Sequence, residues 1–286
     1  MILPPLPGGI AGRCRGALFF LLLILVFVGC RDGTPQARSV SREGMAAEGD
    51  TAVSDTAWSD TVAVADTGTV LRLSAFRREV AGVTGYASAL AYGRRLRQRL
   101  AASPPSTDSL GRAFEHLLLE VILPFWEGTK WSFEGHTAVP GEGRIACGYF
   151  VSTTLRDAGL NVDRYRLAQQ SPLHEARSLA LGMPVTVVEG DSLPPMLATL
   201  RDTLPDGIHF IGLEAYHVGY LLKKDGQLYL IHSNFMDPER GVMIEPLARS
   251  PVVAAYNRFY VTELSSRPAF LRAWLSGRRI RVITGP

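Results

Sequence analysis

Asp225-Gly226 stands between two runs of alternating apolar residues, 216–222 and 228–231, and constrains the fold more than any other feature of the chain. An Asp-Gly pair in that setting forms a two-residue turn whose twist matches a pair of antiparallel strands. With that loop Lys224 pairs with Gln227, Gly219 faces His232, and His217 faces Asn234. Directly opposed residues share a sheet face with Cβ atoms about 5 Å apart. His217, His232 and Asn234 therefore fall on one surface. A three-residue loop with a bulge would move the pairing by one and turn His232 and Asn234 to the opposite face.

Other strand-type runs flank this hairpin: 208–213, 242–244 and 258–264, with 183–189 reading as a buried strand. Asp191-Ser192 caps a short helix containing Pro194 and Pro195. Strands in succession after helices predict an α+β fold, an antiparallel sheet with helices on one side. Upstream, Leu71, Leu73, Phe76, Val80 and Val83 begin a helical pattern that continues over 87–100 and ends in a basic cluster, Arg94 to Arg99. Cations in a last turn complement the helix dipole. Pro104-Pro105 breaks the chain, and Ser106 or Asp108 caps a second helix, 110–123, whose run from Leu117 to Leu123 points to burial. Residues 70–126 thus form a helical front end packed on residues 127–286, within one domain.

The first thirty residues have the pattern of an export signal. Arg13 and Arg15 precede an uninterrupted apolar run, 17–29. As a helix it would reach about 20 Å, short of a bilayer core of about 30 Å, which suits a signal peptide over residues 1–29. The run ends Val26-Phe-Val-Gly-Cys30, which resembles the lipobox of bacterial lipoproteins and implies lipid on Cys30. Residues 30–69 are mostly Ala, Thr, Ser, Asp and Gly, and 31–68 carry 3 basic against 7 acidic residues. So little apolar surface cannot offset the entropy of ordering, so a disordered tether is expected, Trp58 notwithstanding. Residues 69–286 hold 25 basic and 20 acidic residues, with no dense Lys/Arg tract. That balance gives no case for nucleic acid and fits mild attraction to anionic envelope polymer or lipid. The expected location is the periplasm or cell envelope, membrane-anchored through Cys30.

The chain has 3 cysteines. Cys14 lies in the leader and Cys30 takes the lipid, which leaves Cys147 free. An exported protein with one unpaired thiol is either burying a small hydrophobe or keeping a nucleophile. Cys147 follows a Gly- and Pro-rich approach, 134–143, and starts a helix that stops at Gly159. Cys147, Phe150, Val151, Thr154, Leu155 and Ala158 share its inward face, while Gly148, Ser152, Arg156 and Asp157 turn away. Backbone N–H groups at a helix start favour thiolate, drawing a cysteine pKa from about 8.5 toward roughly 3.5–7.5. With His217 as general base and His232 or Asn234 orienting it, the set suits nucleophilic attack on a carbonyl. The N–H groups of Cys147 and Gly148 would bind the oxyanion.

The pieces Cys147-Gly-Tyr-Phe-Val, His217-Val-Gly-Tyr and Leu230-Ile-His232-Ser together resemble the NlpC-type cell-wall peptidases, a branch of the papain-like cysteine hydrolases. The likeness spans about 131–235. It implies a cysteine nucleophile (Cys147), a histidine base (His217), a third polar residue (His232), and neither metal nor cofactor. An upstream tyrosine that lines the family's site has Trp131 or Phe133 as its counterpart here. The substrate so implied is an amide bond in peptidoglycan peptides or a related envelope polymer. Acyl transfer on the same scaffold, or an inactive envelope binding module, are the alternatives; the oligomeric state is left open. Of the remaining histidines, His209 reads as structural, His116 as a surface partner of Glu120, His136 as an approach-loop residue sooner than a border of the cleft, and His174 as having no ligand set for zinc. Arg278, Arg279 and Arg281 read as a solvated face.

Overall fold

The computed structural model describes residues 71–285, which fall in a single compact unit. The leader, Cys30 and the tether lie outside the described residues.

In chain order the helices and strands are α1 (Tyr86–Ala102), α2 (Thr107–Glu115), a π-helical segment (His116–Ile122), α3 (Leu123–Trp126), α4 (Cys147–Asp157), α5 (Arg164–Ala168), α6 (Pro172–Ala180), β1 (Thr186–Glu189), α7 (Leu193–Thr203), β2 (Gly207–Leu213), β3 (His217–Lys224), β4 (Gln227–Ser233), β5 (Val242–Pro246), α8 (Pro251–Ala254), β6 (Arg258–Glu263) and α9 (Pro268–Ser276). Local chemistry sets several of these boundaries. Ser106 caps α2 by accepting from the Ser109 N–H, and Ser171 caps α6 through the His174 N–H with Pro172 at the first helical position. Gly277, at φ 69°, ends α9 in the left-handed conformation that glycine adopts without strain. No described helix is long and apolar enough to cross a membrane.

The six strands form one antiparallel sheet in the order β1-β6-β2-β3-β4-β5. Lys224 pairs with Gln227 and Tyr220 with Ile231, the register expected of a two-residue Asp225-Gly226 turn. The run at 183–189 differs from expectation. It supplies a short edge strand, with Met183 and Val187 about half exposed, because β1 has β6 alone as a neighbour.

Helices cover both faces of the sheet, not one. On one face Phe210, Tyr220, Leu222 and Ile231 join the front-end helices, α4 and α9 in the larger core. On the other, Ile211, Leu221, Leu230 and Val261 pack against Met196, Leu197 and Leu200 of α7 and Val252 and Val253 of α8. A sheet covered twice explains why β2 is buried at every position, where alternation would mark a wetted face.

The front end belongs to the larger core. Leu73, Phe114, Leu117, Leu118 and Trp126 are fully buried in it. The Tyr86 hydroxyl donates to Asp157 at 2.5 Å and accepts from Trp126 Nε1 at 2.9 Å, which ties α1 and α3 to the end of α4. Arg97, from the basic cluster, bonds the Trp274 carbonyl near the end of α9 at 2.8 Å, so this cation serves a second helix as well as its own.

Candidate active site

Helix α4 begins at Cys147 with Ala146 as its N-cap and no side-chain cap. An uncapped start leaves backbone N–H groups without intrahelical partners. Here the backbone N–H groups of Cys147, Gly148 and Val218 lie near enough to the Cys147 sulfur to favour its thiolate electrostatically. Val218 is the second residue of β3 and follows His217 directly, so the thiol and the imidazole belong to the same end of the sheet. The β3–β4 ladder ends at Tyr220–Ile231, short of that end, and Ser233 of β4 donates to the Ile145 carbonyl at 2.7 Å. The approach to α4 is thereby stitched to β4 while its first residue contacts β3.

Helix α4 is more deeply placed than its amphipathic pattern suggests. Gly148, Ser152 and Thr153 are buried along with the expected inward face, and the Asp157 side chain is 6 % exposed. It packs on β3, β4, α5 and the π-helical segment, so only Arg156 of its length stays in solvent. Depth reverses the expected electrostatics of the thiol. Cys147 is partly exposed as a residue, but its sulfur is enclosed, and burial pushes its pKa up to about 11 against the pull of the three N–H groups. Desolvation outweighs the helix-start effect, and the resting form is a neutral thiol.

His217 is buried, at 1 % exposure, and its Nε2 lies 2.9 Å from Nδ1 of His232, with the two rings perpendicular. Burial holds His217 well below its ordinary pKa, helped by the neighbouring His232. His232 is also lowered, by burial, against the pull of Glu245. His232 Nε2 faces Oε1 of Glu245 on β5 at 3.3 Å, near enough to pair electrostatically. Burial raises the Glu245 pKa, but His232 and Ser250 outweigh it and hold the carboxyl below its usual range. The Phe235 ring packs on His217 at 5.2 Å and on Trp131 at 6.3 Å.

It is His232 and not Asn234 that meets His217. The Asn234 side chain accepts from the N–H groups of Met236 and Asp237, closing the turn between β4 and β5. Sequence reasoning missed Glu245, which lies opposite Leu230 on β5 and shows no local signal beyond strand alternation. It also missed Tyr256, between α8 and β6, whose hydroxyl is raised by burial and by the nearby Cys147 and Glu214. Trp131 reaches the centre through Phe235, whereas Phe133 is exposed.

The other histidines take separate places. His209 is fully buried with Nε2 on the Pro205 carbonyl, and burial lowers its pKa to about 4. His116 bonds Glu120 and the Tyr92 hydroxyl. His136 is exposed, with its ring 5.9 Å from Tyr149. His174 bonds its cap residue Ser171. A surface cavity of about 540 Å³ is lined by Asp163, Arg166, Arg279 and Arg281 among others, and no residue of the Cys147–His217 centre borders it. No protein-family model, curated protein or solved structure matches this chain.

Proposed function

We propose that the protein is a papain-like, NlpC-type cysteine hydrolase that cleaves an amide bond in peptidoglycan peptides or a related envelope substrate. One observation carries the reading. An uncapped helix start holds a free thiol against the backbone of β3, one residue from an imidazole that a second imidazole orients.

The proton positions follow from the Glu245 end. A carboxylate facing His232 Nε2 favours the proton there, which leaves His232 Nδ1 as an acceptor. His217 Nε2 must then donate to it, and His217 Nδ1 keeps a bare lone pair. That nitrogen takes the proton of Cys147 as sulfur attacks the carbonyl carbon. Because the resting thiol is neutral, proton transfer accompanies attack instead of preceding it. Backbone N–H groups at the start of α4, Gly148 included, hold the oxyanion. The imidazolium returns its proton to the leaving amine. Water, deprotonated by the same nitrogen, then cleaves the thioester.

Acyl transfer is the second reading. It draws support from large apolar side chains exposed beside the centre: Tyr216, next to His217, and Met236, next to Phe235. Purified sacculi incubated with the protein and with Cys147→Ala separate the cases. New peptide fragments by mass, absent with the variant, support hydrolysis. Equal digestion by both proteins, together with alkylation of Cys147 no faster than a model thiol, would leave an inactive binding module. Attachment through lipid on Cys30 and residence in the envelope remain part of this proposal.

A further inference from the structure

Glu175 lies on α6 and is 1 % exposed. Its side chain is directed at the start of α4: Oε1 sits 3.1 Å from where a Cβ on Gly148 would lie. Its Oε2 is buried with no hydrogen-bond partner. Buried polar atoms in native proteins are paired about nine times in ten, so an orphaned carboxyl oxygen beside the candidate nucleophile calls for a reason. Packing does not supply one, because an apolar side chain would fill the same space without the desolvation penalty.

The charged and titratable groups around it are otherwise engaged. On α5, Arg164 bonds Thr153 and the carbonyls of His136 and Thr137. On β2, His209 bonds Pro205, and on β6 Glu263 pairs with Arg267 and Arg258 with Glu189. On its own helix, His174 bonds Ser171. From α4 and β3 the groups that feel its charge are Cys147 and Tyr220, and both are raised by it. Among the described residues no cation pairs with the carboxyl, and burial holds it well above its usual range.

We propose that Glu175 is a positioning residue for the nucleophile, a buried carboxyl that must keep its proton while the Cys147 sulfur gives up its own. The proposal rests on Cys147 being the nucleophile. The thiol proton passes to His217, and Glu175 keeps its proton throughout. An ionised Glu175 would set a second negative charge against the forming thiolate and oppose it. The site is therefore competent while the carboxyl is neutral and is shut down as the carboxyl ionises.

The test is the pH profile of Cys147 alkylation by iodoacetamide in the full chain, read by mass of the peptide that contains Cys147, over the range where circular dichroism is unchanged. In Glu175→Gln, which fixes a neutral side chain of the same shape, alkylation matches wild type while the wild-type carboxyl is protonated and runs up to about tenfold faster above the carboxyl's midpoint, where its charge slows the wild-type thiol. Profiles that superimpose on both sides of that midpoint overturn the proposal. A second measurement needs no variant: the Glu175 carboxyl carbon, assigned by NMR in the wild-type protein, titrates far above pH 4.5. A midpoint at or below that value also overturns it. If sacculi are not digested but the alkylation profile shifts, the hydrolase reading falls and the role of Glu175 stands. If digestion depends on Cys147 while the profiles coincide, Glu175 alone loses its role.

Discussion

Replacing Glu245 by alanine tests the relay from its far end. In the folded protein the carboxylate faces His232 Nε2 at 3.3 Å, and in the proposed mechanism it fixes which nitrogen of each ring carries a proton. Without it, the proton of His232 is free to move to Nδ1 and donate to His217, forcing the His217 proton onto the nitrogen needed as base. Two unit charges about 4 Å apart interact by about 4 kcal/mol at an effective dielectric of 20. A ring N–H carries only a fraction of that charge, so this is an upper bound on the bias. Part of that is recovered by water entering the space left behind, so about 1.5–3 kcal/mol of tautomer bias should be lost. At 1.4 kcal/mol per decade this is a 10- to 100-fold fall in kcat. KM should change less than about threefold, since the carboxylate touches His232 and not the cleft. Glu245→Gln keeps an acceptor oxygen and should recover much of the loss. The assay is steady-state cleavage of soluble muropeptide near pH 7, paired with 15N NMR of the two imidazoles. If Glu245→Ala retains kcat within twofold and the His217 tautomer is unchanged, the relay is wrong.

Other substitutions give separate checks. Cys147→Ser should reduce turnover at least 10³-fold while leaving the thermal midpoint within about 3 °C, measured by scanning calorimetry. Tyr220→Phe removes a hydroxyl that bonds Thr154 and the Val151 carbonyl inside the core, and urea unfolding should show a loss of about 1 kcal/mol. His209 is neutral in the folded state with its pKa at about 4 against 6.5 when unfolded. The unfolded chain therefore binds the extra proton first as pH falls. Stability should drop by about 3 kcal/mol between pH 6.5 and 4 relative to His209→Gln, as urea midpoints will show. Trp274→Ala removes a fully buried ring that packs on Phe114 and donates to the Ala158 carbonyl, with an expected loss of about 3–5 kcal/mol.

Much of the sheet was legible because turn chemistry and alternation are local. The Asp225-Gly226 turn fixed the hairpin register, and with it the shared face of His217 and His232. The start of α4 at Cys147 and its stop at Gly159 could also be read, the latter from a glycine that adopts φ 98°. What escaped was long-range. Nothing near residue 245 in sequence signals that Glu245 will face His232, because that encounter depends on β5 pairing with β4. The second helical layer was missed for a related reason: α7 and α8 are short and carry prolines, and their apolar faces become a layer only once the sheet exists to receive them. The thiol's elevated pKa was misjudged because sequence shows a helix start but not how much protein encloses it. Glu175 was legible only as a polar neighbour of His174. Its meaning depends on Gly148 leaving space for a carboxyl from another helix.

The shared core has a practical corollary for anyone dissecting this chain. Phe114, Leu117 and Trp126 come from before residue 127, yet they sit against side chains of α4 and α9. A fragment beginning at residue 127 would carry every member of the thiol–imidazole centre and still expose the apolar flank of the helix that presents it. Minimal expressible pieces should start before Leu71, and a clipped product lacking α1 to α3 should precipitate, not turn over substrate.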